Sequence, residues 1–588
     1  MPTETMTANT AEAALSRERL RTFHLTGPAP DDVIPEGALR PTILEHVTGI
    51  PDLEASYPMC VHPDGSARPF RELVSELEHA PIITSAFRTA LANESSALLE
   101  DVAPAAIESL KECSGWENAR LRKLLPDGAF LVAYHADSLV LLHAAALAEA
   151  RRARQAPFWD DVRRTAARLR EILLVDLSHA PDAVSAESVT ASLGSRVGAF
   201  FKPGLLAKAL QRPANPLRCM EPERRSRCET TLAILEEALH DAADDPAFFL
   251  FHPGNACSDV VLFRGAVKWA SDSFAAALEL CDARLDRLTN LLRAVRVARL
   301  EIASAFDPSI HEEMLARFDW QSASPDELAA IPPIMVLETA DRLAQASLTS
   351  FGRLLRSGRP VQILISRAGL EPRDLTGFSP DFGYLSIAHR ESFVLQSSMA
   401  QPSHLLPGLA AMAKTQRPAV AVVSVPAEPE AWLSDSLLVL SRTYPLYSYD
   451  PDAGPRWADR FRLFVPPPAD LSSAHAAAVA SGLRGQFRLI PASAWNNDQL
   501  ELPEYLAAYQ TKPPLAIPYI WVEGPNGQHR ALLTRDLVNF CVDCRRAWNL
   551  FEELSGIGQP QLVPNDNARQ EGAREALQQV IAMLTNQT

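Results

Sequence analysis

The stretch SFVLQSSMAQPSHLLPGLAAMAKTQRPAVAVVSVP occupies 392–426. It holds two short apolar runs, 392–397 and 418–424, each of strand length. Between them 403–414 is rich in Ala and Leu and long enough for a helix. A strand, a helix and a strand in this order form a crossover unit, which joins parallel strands. Working outward, the same alternation continues. Apolar runs at 334–338, 360–365 and 444–449 read as strands, and 341–356 and 429–441 read as helices. Alternation of this kind predicts a parallel sheet with crossover helices, its core spanning 334–449.

The flanks read differently. At 588 residues the chain is too long for one core, so two to four domains are expected. Residues 1–70 read as an extended arm, broken by Pro and Gly and frayed before Arg21. From 71 to 245 the chain reads as a mainly helical domain. Helices are expected at 139–155, at 158–176 and at 223–246. Val162, Ala166, Leu169 and Leu173 share one face of the second of these. The α/β domain then runs over 246–465, opening with a strand at 247–251. A C-terminal α+β unit covers 466–588. It contains a hairpin over 518–538 that turns at Pro525-Asn526-Gly527, a helix over 535–556 stopped by Gly556, and a last helix over 567–586. The predicted class is therefore α/β: a mainly helical N-terminal region, a parallel-sheet domain and a small α+β unit.

Composition narrows the function. The formal net charge is −16, which disfavours nucleic acid and anionic membrane and suits a basic protein partner. No apolar run approaches the ~20 residues of a membrane helix, and the N-terminus lacks a signal-peptide core, so a cytoplasmic protein is expected. The eight cysteines are scattered. Only Cys541 and Cys544 form a C-x-x-C pair, read as packing rather than as ligands. HEEM at 311–314 lacks the second His of a zinc-protease helix, since 315 is Leu. GSRVG at 194–198 carries Arg where a nucleophilic Ser would stand, and no G-x-x-x-x-G-K-[ST] loop occurs.

Four pieces carry a resemblance. They are LLRSGRPVQILI (354–365), the 392–426 unit, a short helical segment after Pro426, and RTYPLYSYDPDAG (442–454). In order and spacing, 349–465 resembles the C-terminal thiamine-diphosphate domain of pyruvate:ferredoxin oxidoreductases. The resemblance covers about a fifth of the chain and includes no catalytic residue. It implies a thiamine-type sheet, and a cofactor diphosphate held through magnesium by hard oxygen ligands. Families of this kind offer a Gly-Asp-Gly turn and, further on, an Asn or Asp-Thr loop rich in glycine.

This chain departs from that pattern at both places. The first turn is VLETADRL (336–343), with Glu338 and Asp341 but no glycine. In the second, Ser366 and Arg367 stand where the resemblance predicts Asp and Thr. Arg opposes a divalent cation and instead suits a phosphate, a carboxylate or a neighbouring acid. The Cys-rich cluster region is replaced by HPGNACSDVV (252–261), which supplies only Cys257. Glu338, Asp341, Ser366 and Arg367 are therefore expected to be a vestigial cofactor site, with neither thiamine diphosphate nor an iron–sulfur cluster resident. His389 and Arg390 are anion-binding candidates set against a solvated-loop reading. Ser397 and Ser398 are candidates set against a helix-capping reading, which Ser403 could also fill.

The expected function is an accessory or scaffold subunit that binds other chains, ferredoxin or oxidoreductase subunits among them, or further copies of itself. Two readings stand beside it. One is the catalytic half of a split thiamine-dependent 2-oxoacid:acceptor oxidoreductase, with magnesium on Glu338 or Asp341. The other is an unrelated enzyme that holds an acidic metabolite with Arg367, His389 and Arg390.

Overall fold

The structure is a computed structural model. It describes residues 4–27, 40–41, 57, 59–61, 67–69, 130–132, 134–178, 185–191, 202–210, 220–254, 265–375, 380–427, 431–466, 471–509, 513–524 and 527–557. Its centre is an eight-stranded sheet. The strands are β1 (Phe248–His252), β2 (Gly265–Trp269), β3 (Ile334–Thr339), β4 (Val361–Ala368), β5 (Phe393–Ser398), β6 (Ala419–Val425), β7 (Leu446–Tyr449) and β8 (Phe461–Phe464), in the spatial order β8-β7-β5-β6-β4-β3-β1-β2. The six from β5 to β2 pair in parallel. All five strands expected within 334–449 lie in this one sheet, and the strand expected at 247–251 joins it as β1.

The last strand of the expected core departs from the parallel expectation, because β7 runs antiparallel to β5 and β8 antiparallel to β7. After β6 the chain passes through the helix Trp432–Leu440 and re-enters the sheet at the end it left, where the Tyr444 hydroxyl donates to the Val422 carbonyl at 3.1 Å.

The helices include α1 (Glu4–Thr26), α2 (Ser138–Ser178), α3 (Pro222–Asp244), α4 (Ser273–Ile302), α5 (Leu348–Ser357), α6 (Phe382–Ala388), α7 (Pro402–Met412), α8 (Trp432–Leu440), α9 (Ser473–Val479) and α10 (Arg535–Ser555), and some of them cover both faces of the central sheet. On one face α2 and α7 bury Leu139, Leu142, Leu405 and Leu409 against Leu364, Leu395 and Ala421. On the other, α4, α5 and α6 bury Phe274, Phe351 and Phe382 against Val336, Ile363 and Val422. This double cover explains why the strands are continuous apolar runs rather than alternating ones.

Three expectations for the N-terminal half change. The arm opens with a helix, α1, rather than with frayed chain, and Leu20 and Phe23 bury it against Ile490, Tyr519 and Leu532. Residues 59–61 and 67–69 form a three-stranded antiparallel sheet with 130–132, and Met59 and Val132 join the core of the central sheet. The two helices expected at 139–155 and 158–176 are one 41-residue helix, α2, with Pro157 inside it. An interior Pro costs about 3 kcal/mol. Packing on either side offsets that cost: the first half lies on the central sheet, and Val162, Ala166 and Leu169 of the second half bury against α3 and α4. Residues 71–129, within the expected helical domain, lie outside the described residues.

The C-terminal unit holds β9 (Phe487–Ile490), β10 (Gln499–Glu501), β11 (Ile517–Gly524) and β12 (Gly527–Leu533), with β11 and β12 as the expected hairpin. Its turn residues 525–526 and the helix expected at 567–586 lie outside the described residues. After Thr534 caps its first turn, α10 runs to Gly556, whose left-handed φ of 70° closes it as expected. Near its start Leu537, Val538 and Cys541 pack into this unit. Near its end Phe551 stacks on Phe461 and meets the tilted ring of Tyr447 in the central sheet, with ring centroids 5.7 and 4.8 Å apart. This helix therefore ties the unit to the carboxyl-terminal half of the central sheet.

Candidate functional site

In an open α/β sheet, ligands collect at the carboxyl ends of parallel strands. Here β4 delivers Ser366 and Arg367 to that end, but strand geometry sends them to opposite faces. Gln362 marks one face: it bonds His143 of α2 at 3.1 Å and the Met412 carbonyl of α7 at 2.9 Å. Ser366 shares that parity, and its Oγ lies 3.4 Å from the Glu338 carbonyl. Arg367 follows Ile363 and Ile365 to the α4–α6 face. The two residues that the resemblance brackets together do not form one site.

Arg367 is three-quarters buried, with 27% of its side chain exposed. Its Nη2 donates to Asp374 Oδ1 at 2.9 Å. The other oxygen of Asp374 accepts from the Glu371 amide at 2.8 Å. The guanidinium lies 5.9 Å from the centroid of the Tyr444 ring. Glu338 is also buried, and its carboxyl accepts from the Thr339 amide at 3.0 Å and from Arg342 Nε at 3.3 Å. Burial raises its pKa, while those two donors oppose the rise. Asp341 is exposed, three residues on in the short helix Ala340–Arg342.

Arg367 borders a cavity of about 250 Å³ enclosed by the ends of β4, β5 and β6 and by α10. Asp374, Asp381 and Asp543 bring carboxylates to it, and Phe382, Phe540 and Phe551 bring apolar walls. Beneath it is a packed polar network. Tyr447 Oη lies 3.2 Å from Gln396 Oε1 and 3.4 Å from Asp381 Oδ1, and Gln396 Nε2 donates to the Pro445 carbonyl at 2.9 Å. Asp381 Oδ1 also accepts from the Tyr384 amide at 2.8 Å, as the N-cap of α6. Residue 383 must be glycine for this to close, because a Cβ there would stand 2.2 Å from Tyr447 Oη. Desolvation raises the pKa of Asp381 against the pull of the Tyr384 amide and Arg367, and raises that of Tyr447 well above normal.

Cys541 and Cys544 are both buried thiols or nearly so, and Cys544 borders the cavity with its pKa pushed up to about 12 by burial. A thiol held protonated in this way is packing, as read from the sequence, and not a nucleophile.

The anion candidates are placed apart from Arg367. Ser397 and Ser398 are fully buried; the Ser397 hydroxyl pairs with His404 Nδ1 at 2.9 Å, and Ser398 Oγ accepts from the Ala400 amide at 3.1 Å. Neither caps α7, nor does Ser403. The N-cap is Gln401, whose side chain makes no capping bond, and Pro402 at the first helical position removes one amide that would need a cap. His389 and Arg390 precede β5, so they stand at the amino end of the parallel strands, opposite Arg367. Arg390 is exposed in a left-handed turn with φ of 67°, and its carbonyl accepts from the Tyr449 hydroxyl at 3.1 Å. Burial and Arg356 lower the pKa of His389. A single ligand cannot bridge Arg367 to these two residues, so the acidic-metabolite trio does not assemble.

The residues that do surround Arg367 were not singled out in the sequence. Asp374 and Asp381 lie in EPRDLTGFSPDFG (371–383), the segment that replaces the glycine-rich loop. Acids seven and fourteen positions after a strand-end Arg are the available signal. Asp543 could not be found that way, since it arrives from α10.

A magnesium–diphosphate does not fit this donor set. The guanidinium of Arg367 projects where an oxygen ligand is required, Ser366 turns to the other face, and the carboxyl of Glu338 is held by Arg342. Among the described residues no helix is long and apolar enough to cross a membrane. No protein-family model matches the chain, and no curated protein matches it.

Proposed function

We propose that this chain is an accessory subunit built on a sheet of the thiamine-dependent 2-oxoacid oxidoreductase type, and that it acts by binding other chains rather than by thiamine chemistry. The observation that carries this reading is the Arg367–Asp374 pair at the carboxyl end of β4. A cation held by a buried carboxylate takes the place of the metal ligand that the resemblance requires. The resemblance of 349–465 to one domain of a multidomain oxidoreductase supports a role within a complex. The net charge of −16 suits a basic docking partner.

Calorimetry of the full chain with thiamine diphosphate and magnesium tests the first half: no saturable heat is expected, and tight stoichiometric binding would overturn it. Affinity purification from the native host tests the second half. A stoichiometric partner chain is expected, and recovery of the chain alone as a monomer would contradict it.

A further inference from the structure

The charge balance of the Arg367 cavity is not closed by the Arg367–Asp374 pair. Asp374 and Asp381 border the space with Arg367, while Asp543 at its rim is mostly exposed and pairs with Arg546 at 3.3 Å. Asp374 has both oxygens engaged, one by Arg367 and one by the Glu371 amide. No side-chain cation forms an ion pair with Asp381 among the described residues, and its hydrogen bonds from Tyr384 and Tyr447 both fall on Oδ1. Nη2 is the one nitrogen of Arg367 with an acceptor among the described residues. Arg367 lies close enough to Asp381 for its charge to pull the carboxyl pKa down, against the larger upward push of burial. The space thus offers a planar cation on one side and a carboxylate on the other.

Each simple ligand class meets an obstacle here. A plain anion on Arg367 faces Asp381, and a plain cation on Asp381 faces Arg367. A molecule that carries both charges satisfies both sides. The cavity, at about 250 Å³, is smaller than the ~300–1,000 Å³ of a drug-sized pocket and suits a small metabolite. Leu438, Phe382, Phe540 and Phe551 give it an apolar wall, beside the polar Gln396, Ser424, Thr443 and Tyr444.

We propose that this cavity binds a small zwitterion, an α-amino acid with an apolar side chain, with its carboxylate on Arg367, its ammonium on Asp381 and its side chain against the phenylalanines of α6 and α10. The guanidinium fork matches a carboxylate bidentately. The contribution of α10 gives the site a consequence: an occupant would bridge the central sheet and the C-terminal unit. This inference rests on the reading that no metal–diphosphate occupies the strand ends.

The test is thermal shift of the full-length protein against the twenty standard amino acids, followed by calorimetry. The calorimetric probes are L-leucine and L-phenylalanine, each beside the amine and the carboxylic acid that lack one of its two charges. The expected result is stabilisation by apolar amino acids, with the matched amine and acid at least tenfold weaker. Asp381→Asn and Arg367→Lys, which keeps charge but loses the fork, should each weaken binding tenfold or more. Silence across all twenty amino acids overturns the proposal. Equal binding of the deaminated acid, or full affinity in both folded variants, does so too. If the variants fail to fold, the wild-type ligand series decides alone. No amino-acid binding together with no thiamine diphosphate binding removes this inference and leaves the accessory-subunit reading standing; thiamine diphosphate binding removes both.

Discussion

The two ends of the central sheet solve the problem of charge in opposite ways. At the amino end Arg417 pairs with Glu391 and Asp452, and those carboxylates are more than half exposed. Arg390 stands in solvent nearby. At the carboxyl end Asp374, Glu338 and Asp435 are nearly or wholly buried, and Arg367 mostly so. Water screens the first set, so its pairs contribute little to stability. The second set is tied into the packing, and each charge there depends on a named partner. The difference teaches where to look for function. A buried charge at the carboxyl end of parallel strands is costly to keep, and it persists in a cavity that ordinary core packing would have filled with apolar side chains.

The largest effect is expected from breaking the buried pair. Asp374→Ala leaves Arg367 without its carboxylate inside the structure and should destabilise by about 3–5 kcal/mol, read as a shift in the denaturation midpoint of the transition reported by the central sheet. A shift no larger than that of a surface variant would erase the contrast between the two ends.

Next is Asp435, buried on α8 with the Tyr134 hydroxyl donating to Oδ2 at 2.8 Å and with no partner on Oδ1. Burial raises its pKa to about 7, against the hydrogen bond from Tyr134. A raised folded pKa means that the native state holds the proton more tightly than the unfolded chain. The associated stability is therefore complete below pH ~4 and is lost as pH rises to about 7, amounting to a few kcal/mol at most. Asp435→Asn should flatten that slope in melting curves taken from pH 4 to pH 8; an unchanged slope would assign the pH dependence to other groups.

Gly383→Ala should cost about 1–3 kcal/mol, because the added methyl meets Tyr447 Oη and Gln396 Oε1 and must displace the network under the cavity. The same change should perturb tyrosine near-ultraviolet circular dichroism. At the exposed end, Arg417→Ala should cost less than about 1 kcal/mol, and that small cost should shrink further in high salt.

The central strands were legible because double cover by helices makes them continuous apolar runs, as in AVAVVSV of β6. Strand β2, GAVKW, went unseen because it is a mostly exposed edge strand whose residues carry no burial pattern. The direction of β7 is not encoded in periodicity at all; it is set by which end of the sheet the chain re-enters after α8. Pro157 read as a break because propensity is local, whereas the packing that carries α2 through it is tertiary. Of the site, Arg367 was legible as a departure from a resemblance. Its pairing with Ser366 was not real, since neighbours on a strand face opposite ways. Asp374, Asp381 and Asp543 come from a loop and from a helix more than 150 residues on, and only the docking of α10 brings that helix there.

A double-mutant cycle on Arg367 and Asp374, set beside the same cycle on Arg417 and Asp452, tests this contrast most directly. The buried pair should show a coupling energy of about 2 kcal/mol or more, and the exposed pair about 0.5 kcal/mol or less. Coupling near zero between Arg367 and Asp374 would mean that the guanidinium is not held at the strand end, and the reading of that end as a charge-paired cavity in place of a metal site would fall.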